Sequence, residues 1–140
     1  MNYVFISPAY PVTCMYFCEA LSELGVNVLG IGEAPYDLLD DRLKSALTEY
    51  YYVSSLEDYD QVYRAVAFLI HKYGRIDWLE SLNEYWLPMD ASLRSDFNIE
   101  VGTRYEEIGN LVSKSGMKKI FLEAGIPTAR QHIVSDLEAG

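Results

Sequence analysis

The sequence predicts an α/β fold, a Rossmann-like open parallel sheet with helices on both faces. Three observations carry the prediction. Short apolar runs of strand length alternate with longer segments whose apolar residues recur at helical spacing. Gly, Pro, Ser and Asn stand between the segments as turn residues. The first strand, helix and second strand candidates fit within about thirty residues, the size of a βαβ unit, so the first two strands are parallel and their crossover right-handed.

Taken in order, Tyr3–Ile6 is an apolar run broken by Ser7-Pro8-Ala9-Tyr10-Pro11, which suits a buried strand. Cys14, Phe17, Cys18, Leu21 and Leu24 follow at helical spacing, with Gly25 as the stop, and Val26–Ile31 is the second strand. Asp37 to Leu47 reads as a weaker helix and Tyr50–Val53 as a short strand of aromatic and β-branched residues. Tyr59, Val62, Val66, Leu69, Ile70 and Tyr73 form the clearest helical stripe, ended by Gly74. Ile76 to Leu82 is the next strand, running into Asn83-Glu84. Met89 to Phe97 reads as a helix, and Asn98-Ile99 as a minimal last strand. The expected sheet therefore has four or five strands.

After Gly102 the pattern changes. Tyr105–Leu111 and Met117–Ala124 read as helices, the second with Met117, Ile120, Phe121 and Ala124 on one face and Gly125 and Pro127 behind it. Ala129 to Ser135 reads as the start of a strand that nothing follows, an expectation of truncation. Residues 1–102 are expected to form the α/β domain and residues 103–140 a linker and the beginning of a second domain.

Composition narrows the function. The chain has 140 residues, 50% hydrophobic and 14% aromatic, which is enough for a packed core. Its formal net charge is −10, which disfavours nucleic acid and anionic membrane surfaces as partners. Residues 1–100 hold 6 basic and 16 acidic side chains, whereas residues 101–140 hold 5 of each, so the positive charge gathers at the end. The N-terminus lacks a basic region and a long apolar run, and a cytoplasmic globular chain is expected. Cys14 and Cys18 share one helix face and read as core packing rather than a disulfide or metal site. His71 and His132 have no nucleophile or metal-ligand set nearby. The 12 tyrosines are scattered, unlike a base-stacking platform.

Candidate chemistry lies where strands end. The first βα loop, Ser-Pro-Ala-Tyr-Pro, has none of the glycines that let a dinucleotide's pyrophosphate approach the backbone, which argues against NAD or FAD bound in the usual manner. Ser7 and Tyr10 read either as ligand contacts or as parts of a rigid turn. Asn83 and Glu84 sit at the carboxyl end of a strand. There a carboxylate holds a substrate ammonium or a basic partner, or else serves as a helix N-terminal acid. In Lys114-Ser115-Gly116-Met117-Lys118-Lys119 a serine caps the helix, and a lysine near its start can address a phosphate. Lys118 and Lys119 also read as a solvated face.

Ile99 to Thr128, with Ser113-Lys114, Met117-Lys118 and Ala124-Gly125-Ile126-Pro127-Thr128, resembles the junction at which ATP-grasp enzymes pass from their N-terminal (pre-ATP-grasp) domain into the ATP-grasp fold. The preceding βα repeats are similar to that N-terminal domain, including a strand that ends near a glutamate, here Glu84. Biotin carboxylase and carbamoyl-phosphate synthase belong to this superfamily. The resemblance implies a parent ligase that uses ATP and Mg²⁺, joins a small-molecule carboxylate to an amine through an acyl phosphate, and contacts the nucleotide's phosphates with Lys114. It implies Glu84 near the substrate; Asn83, Ser7 and Tyr10 are candidate substrate contacts from their own places at strand ends. Ser113 stands where the family usually has an aspartate. The second phosphate-binding lysine, the glycine-rich flap, the adenine hinge and the Mg²⁺ ligands of the family would lie downstream. The expectation is therefore no metal site, no catalytic residue and no tightly bound nucleotide within these 140 residues. The apolar residues of Met117–Ala124 need covering, so self-association, such as a homodimer, is expected. The other reading is a non-catalytic α/β module that binds a small ligand or a partner domain.

Overall fold

A computed structural model describes residues 1–132 and 134 of the chain. Four parallel strands, β1 (Asn2–Ile6), β2 (Asn27–Gly32), β3 (Glu49–Tyr52) and β4 (Trp78–Glu80), form one sheet in the order β3-β2-β1-β4. The strand order reverses at β1, the second strand being added to one side and the fourth to the other. Val4 lies beside Leu29 of β2 and Leu79 of β4, so β1 is paired on both edges. Its residues Val4, Phe5 and Ile6 are all fully buried, which is why this strand reads as a continuous apolar run.

Strand alternation sends side chains into two cores. Val4, Ile6, Leu29 and Ile31 face α3 (Tyr59–Tyr73) and α4 (Leu87–Asp96), meeting Val62, Val66, Leu69, Leu93 and Ile99. Tyr3, Phe5 and Val28 face α1 (Cys14–Glu23) and α2 (Asp41–Ala46), meeting Cys14, Cys18 and Leu43. Full burial of a leucine or valine stabilises the fold by about 1.5–3 kcal/mol, so the α3 stripe alone is a major contribution. Asp58 caps α3, its carboxylate accepting from the N–H groups of Asp60 and Gln61. Gly32 is needed for close approach, because a Cβ there would lie 2.5 Å from the Tyr50 hydroxyl, which donates to the Ala34 carbonyl.

The cysteines are buried as expected, but Phe17 and Leu24 are exposed and Met15 takes a core position instead. The helix expected over Asp37–Leu47 is divided. A 3-10 turn spans Tyr36–Leu38, Leu39 and Asp40 are extended, and α2 then starts with the Asp40 carboxylate accepting from the Arg42 N–H at 2.8 Å. The strand expected over Ile76–Leu82 shortens to the three residues of β4.

Asn98-Ile99 is not a strand. Asn98 has φ +51° and Ile99 N–H donates to the Arg94 carbonyl at 2.9 Å, so the pair closes the C-terminus of α4 with a left-handed residue. The buried Ile99 side chain fills the α3/α4 core from there, which accounts for its apolar character without a fifth strand.

Beyond Gly102, α5 (Tyr105–Val112) packs on α4, and α6 (Lys114–Glu123) packs on α5. No residue of α6 is buried, and Ile120, Phe121 and Leu122 are exposed. Of the strand expected over Ala129–Ser135, Ala129–His132 are irregular, while Ile133 and Ser135 lie outside the described residues.

Candidate functional site

In an open parallel sheet the strand order 3-2-1-4 leaves a crevice outside the carboxyl ends of the two strands where the order reverses, here β1 and β4. The loop after β1 carries Ser7 and Tyr10. The turn after β4 carries Ser81, Leu82, Asn83 and Glu84. The β1–β4 register pairs Phe5 with Glu80, and continuing it by two places sets Ser7 level with Leu82. Four of the five residues singled out from the sequence therefore stand at one edge of the sheet, in the connections that follow two neighbouring strands.

Ser7 adopts φ +59°. Its N–H donates to the Ile31 carbonyl at 2.8 Å, and its hydroxyl donates to the Tyr10 carbonyl at 3.3 Å. Those contacts tie the loop to β2 and turn it back toward α1. Tyr10 is 70% exposed, its ring free at the rim. Beside this loop is a cavity of about 250 Å³ lined by Pro8, Ala9, Val12, Ala34, Leu38 and Leu43, a largely apolar recess on the β2 side of the crevice.

Asn83 caps the 3-10 turn Glu84–Trp86, its Oδ1 accepting from the Tyr85 N–H at 3.0 Å. Glu84 occupies the first position of that turn and is exposed. Other acids lie along the same edge. Glu33, after β2, accepts from the Leu56 N–H at 3.1 Å. Glu57, after β3, accepts from the Tyr85 hydroxyl at 2.9 Å, which pushes the Tyr85 phenol up in pKa. This rim of carboxylates suits a cationic group better than an anion.

Sequence reading missed the groups that support the turn. Arg94 of α4 is 2% exposed and reaches under β4. Its Nε and Nη2 donate to the Leu79 carbonyl at 3.0 and 2.8 Å, Nη2 also meets the Glu80 carboxylate at 2.8 Å, and Nη1 donates to the Thr103 carbonyl at 3.0 Å. Gly102 passes over the guanidinium with φ +96°, and a Cβ there would lie 2.7 Å from Nε. Asp90, also fully buried, binds Ser81 through its N–H and its hydroxyl. The available signal was spacing. Asp90 and Arg94, four apart, sit within the helical stripe of Ala91, Leu93 and Phe97, where polar residues require buried partners.

Lys114, the fifth singled-out residue, is elsewhere. It is the exposed first residue of α6, whose N-terminus is capped by the Ser113 hydroxyl accepting from the Gly116 N–H at 3.2 Å. Ser113 thus performs the capping that an aspartate would. Lys118 donates to the Ala129 carbonyl, tying α6 to the segment after Pro127, whereas Lys119 is exposed. Among the described residues, no three His, Cys, Asp or Glu side chains gather to hold a metal ion. No helix among them is long and apolar enough to cross a membrane.

No family model matches the chain, and no curated protein is significantly similar to it. Solved structures are. An L-amino acid ligase from Bacillus licheniformis matches 91% of this chain with a TM-score of 0.65 at 18% identity. The biotin carboxylase domain of a thermophilic 2-oxoglutarate carboxylase, bound to bicarbonate, matches 98% of it with a TM-score of 0.65 at 19% identity. The matched region is 31% of the length of each of these proteins. The chain has the α/β fold of the matched third of these two proteins.

Proposed function

We propose that the chain is the N-terminal part of an ATP-dependent carboxylate–amine ligase whose remaining fold supplies the nucleotide and Mg²⁺ sites. The observation that supports this reading is that the Ser7–Tyr10 loop and the Ser81–Glu84 turn follow the neighbouring strands β1 and β4, in a fold shared with an L-amino acid ligase. The Lys114–Thr128 string supports it from a second direction.

In this reading the acidic rim receives the amine substrate. Glu84 pairs with its ammonium, Asn83 holds the turn that presents Glu84, and Tyr10 with the apolar recess beside it shapes the side chain's pocket. A carboxylate oxygen of the other substrate attacks the γ-phosphorus of ATP, and ADP leaves. The ammonium first gives up a proton to solvent; the free amine then attacks the acyl carbon, the acyl C–O bond to phosphorus breaks, and phosphate leaves carrying the second proton. Phosphorylation converts a poor leaving group into a good one, provided that water is kept out. Lys114 would steady the phosphates electrostatically from α6. The 140 residues by themselves carry one such lysine and are proposed to be inactive.

The test uses the complete open reading frame. Glu84→Gln is expected to raise the KM for the amine at least tenfold, with little change in the KM for ATP. Lys114→Ala is expected to raise the KM for ATP. With a carboxylate labelled by oxygen-18, one labelled oxygen should appear in the phosphate released. Unlabelled phosphate would overturn the acyl-phosphate step, and an amine KM unchanged in Glu84→Gln would remove the role given to the rim.

A further inference from the structure

The recess beside the Ser7–Tyr10 loop has a core floor and an open apolar mouth. Besides the residues named above, it is lined by Met15 and Leu39, both buried, and by Asp40. At its rim Leu38 is 79% and Val12 69% exposed, apolar side chains standing over an apolar cavity. The break in the helix expected over Asp37–Leu47 makes this arrangement. The 3-10 turn ends at Leu38 and the extended Leu39 and Asp40 follow, so Leu39 enters the core, Leu38 stays at the rim and Asp40 stands at the wall. Both sides are fixed without a ligand. The Ser7 N–H ties the β1 loop to the Ile31 carbonyl, and the Tyr50 hydroxyl donates to the Ala34 carbonyl at 2.7 Å.

We propose that this recess binds one small aliphatic or aromatic group of a ligand that brings no negative charge to it. Its volume of about 250 Å³ lies below the range of about 300–1,000 Å³ that holds whole drug-sized molecules. At about 30 Å³ for each water-sized group it takes about eight heavy atoms, the size of a branched alkyl or a phenyl group. Water finds few hydrogen-bond partners between walls that are almost all carbon, so an apolar group displaces it favourably. Asp40 is the one charged side chain of the lining, and it sets the sign. Its carboxylate accepts from the Arg42 N–H at 2.8 Å, while the side chains of Arg42 and Lys44 pair with Glu19 and Asp41 instead. Glu33 and Asp37, both exposed, belong to the same connection between β2 and α2. An anionic ligand meets like charge at this wall, and a cationic or neutral one does not.

This site deepens the ligase reading and rests on it only for the identity of the ligand. In that reading the ammonium goes to Glu84, and the recess selects an amine whose body is branched aliphatic or aromatic over one that is short or acidic.

The test is a methyl NMR titration of the complete protein, without ATP, with 3-methylbutylamine, ethylamine and 4-methylpentanoate. The branched amine is expected to bind with contacts to the Met15 and Leu43 methyl groups. Each methylene lost costs about fourfold in affinity, so ethylamine should bind about tenfold or more weakly. The acid has the same branched body and should bind more weakly than the branched amine. Asp40→Asn still caps α2, and it should narrow that difference about two- to fivefold. Ala34→Met fills the recess and should abolish the preference for the longer amine. Equal affinity for the two amines in wild type, an unchanged preference in Ala34→Met, or ligand contacts to other methyl groups alone would overturn the site. The same amine–acid difference in Asp40→Asn would overturn the rule of sign. If Ala34→Met does not fold, the wild-type contacts and the two amines decide. Binding at the recess by a protein that releases no ADP would support this site and count against the ligase reading alone. ADP release that depends on amines, with no binding at the recess, would overturn this site alone.

Discussion

Arg94 shows what single side chains do here. One guanidinium joins the end of β4, through Leu79 and Glu80, to the linker at Thr103 that leads into α5. Replacing it with methionine keeps most of the volume but leaves two carbonyls and a carboxylate without their donor. The expected loss is about 3 kcal/mol in urea unfolding, since breaking a buried pair strands the remaining partner. Arg94→Lys should not rescue it, because a single ammonium cannot reproduce the forked contacts. Gly102→Ala tests the same junction from the other side. Its φ of +96° and the 2.7 Å approach to Nε predict a loss of about 1–3 kcal/mol in the same measurement.

The elements differ in what holds them. Leu69→Ala in α3 empties a fully buried position between sheet and helix and should cost about 2–5 kcal/mol. α6 buries nothing, so its amides should exchange far faster than those of α3 in the isolated chain, which hydrogen-exchange mass spectrometry would show directly. Strands and helices with one clear apolar face were legible in the sequence: β1 because both its edges and both its faces are covered, α3 because Val62, Val66 and Leu69 keep strict helical spacing. Three features were not. Phe17 continues the spacing of α1 yet lies beyond the sheet edge, near Trp78 and Leu82, where nothing described covers it. Ile99 looks like strand and is a helix cap, because a buried apolar residue is needed wherever the chain re-enters the core. Asp90 and Arg94 look like surface charges, and only their mutual spacing hinted at burial. Four of the five candidate residues share one edge of the sheet because all strands of a parallel sheet end on the same side. Lys114 stands apart on α6, and its placement relative to the crevice was not readable from spacing.

At the scale of the whole molecule, charge and topology point the same way. The excess of acid lies in residues 1–100, and Glu33, Glu57 and Glu84 all follow strand ends, so the crevice edge is negative. In the ligase reading proposed above, an edge of that sign would receive an ammonium-bearing substrate. Adding salt should accordingly weaken amine binding, seen as a rising KM with ionic strength, and Glu84→Gln should flatten that dependence. The most direct test of the central claim is ADP release by the complete open reading frame with Mg²⁺-ATP, across a panel of carboxylates and amines. Release should require one of each and fall sharply in Lys114→Ala. Release that needs neither substrate, or a complete protein that does not bind ATP, would contradict it.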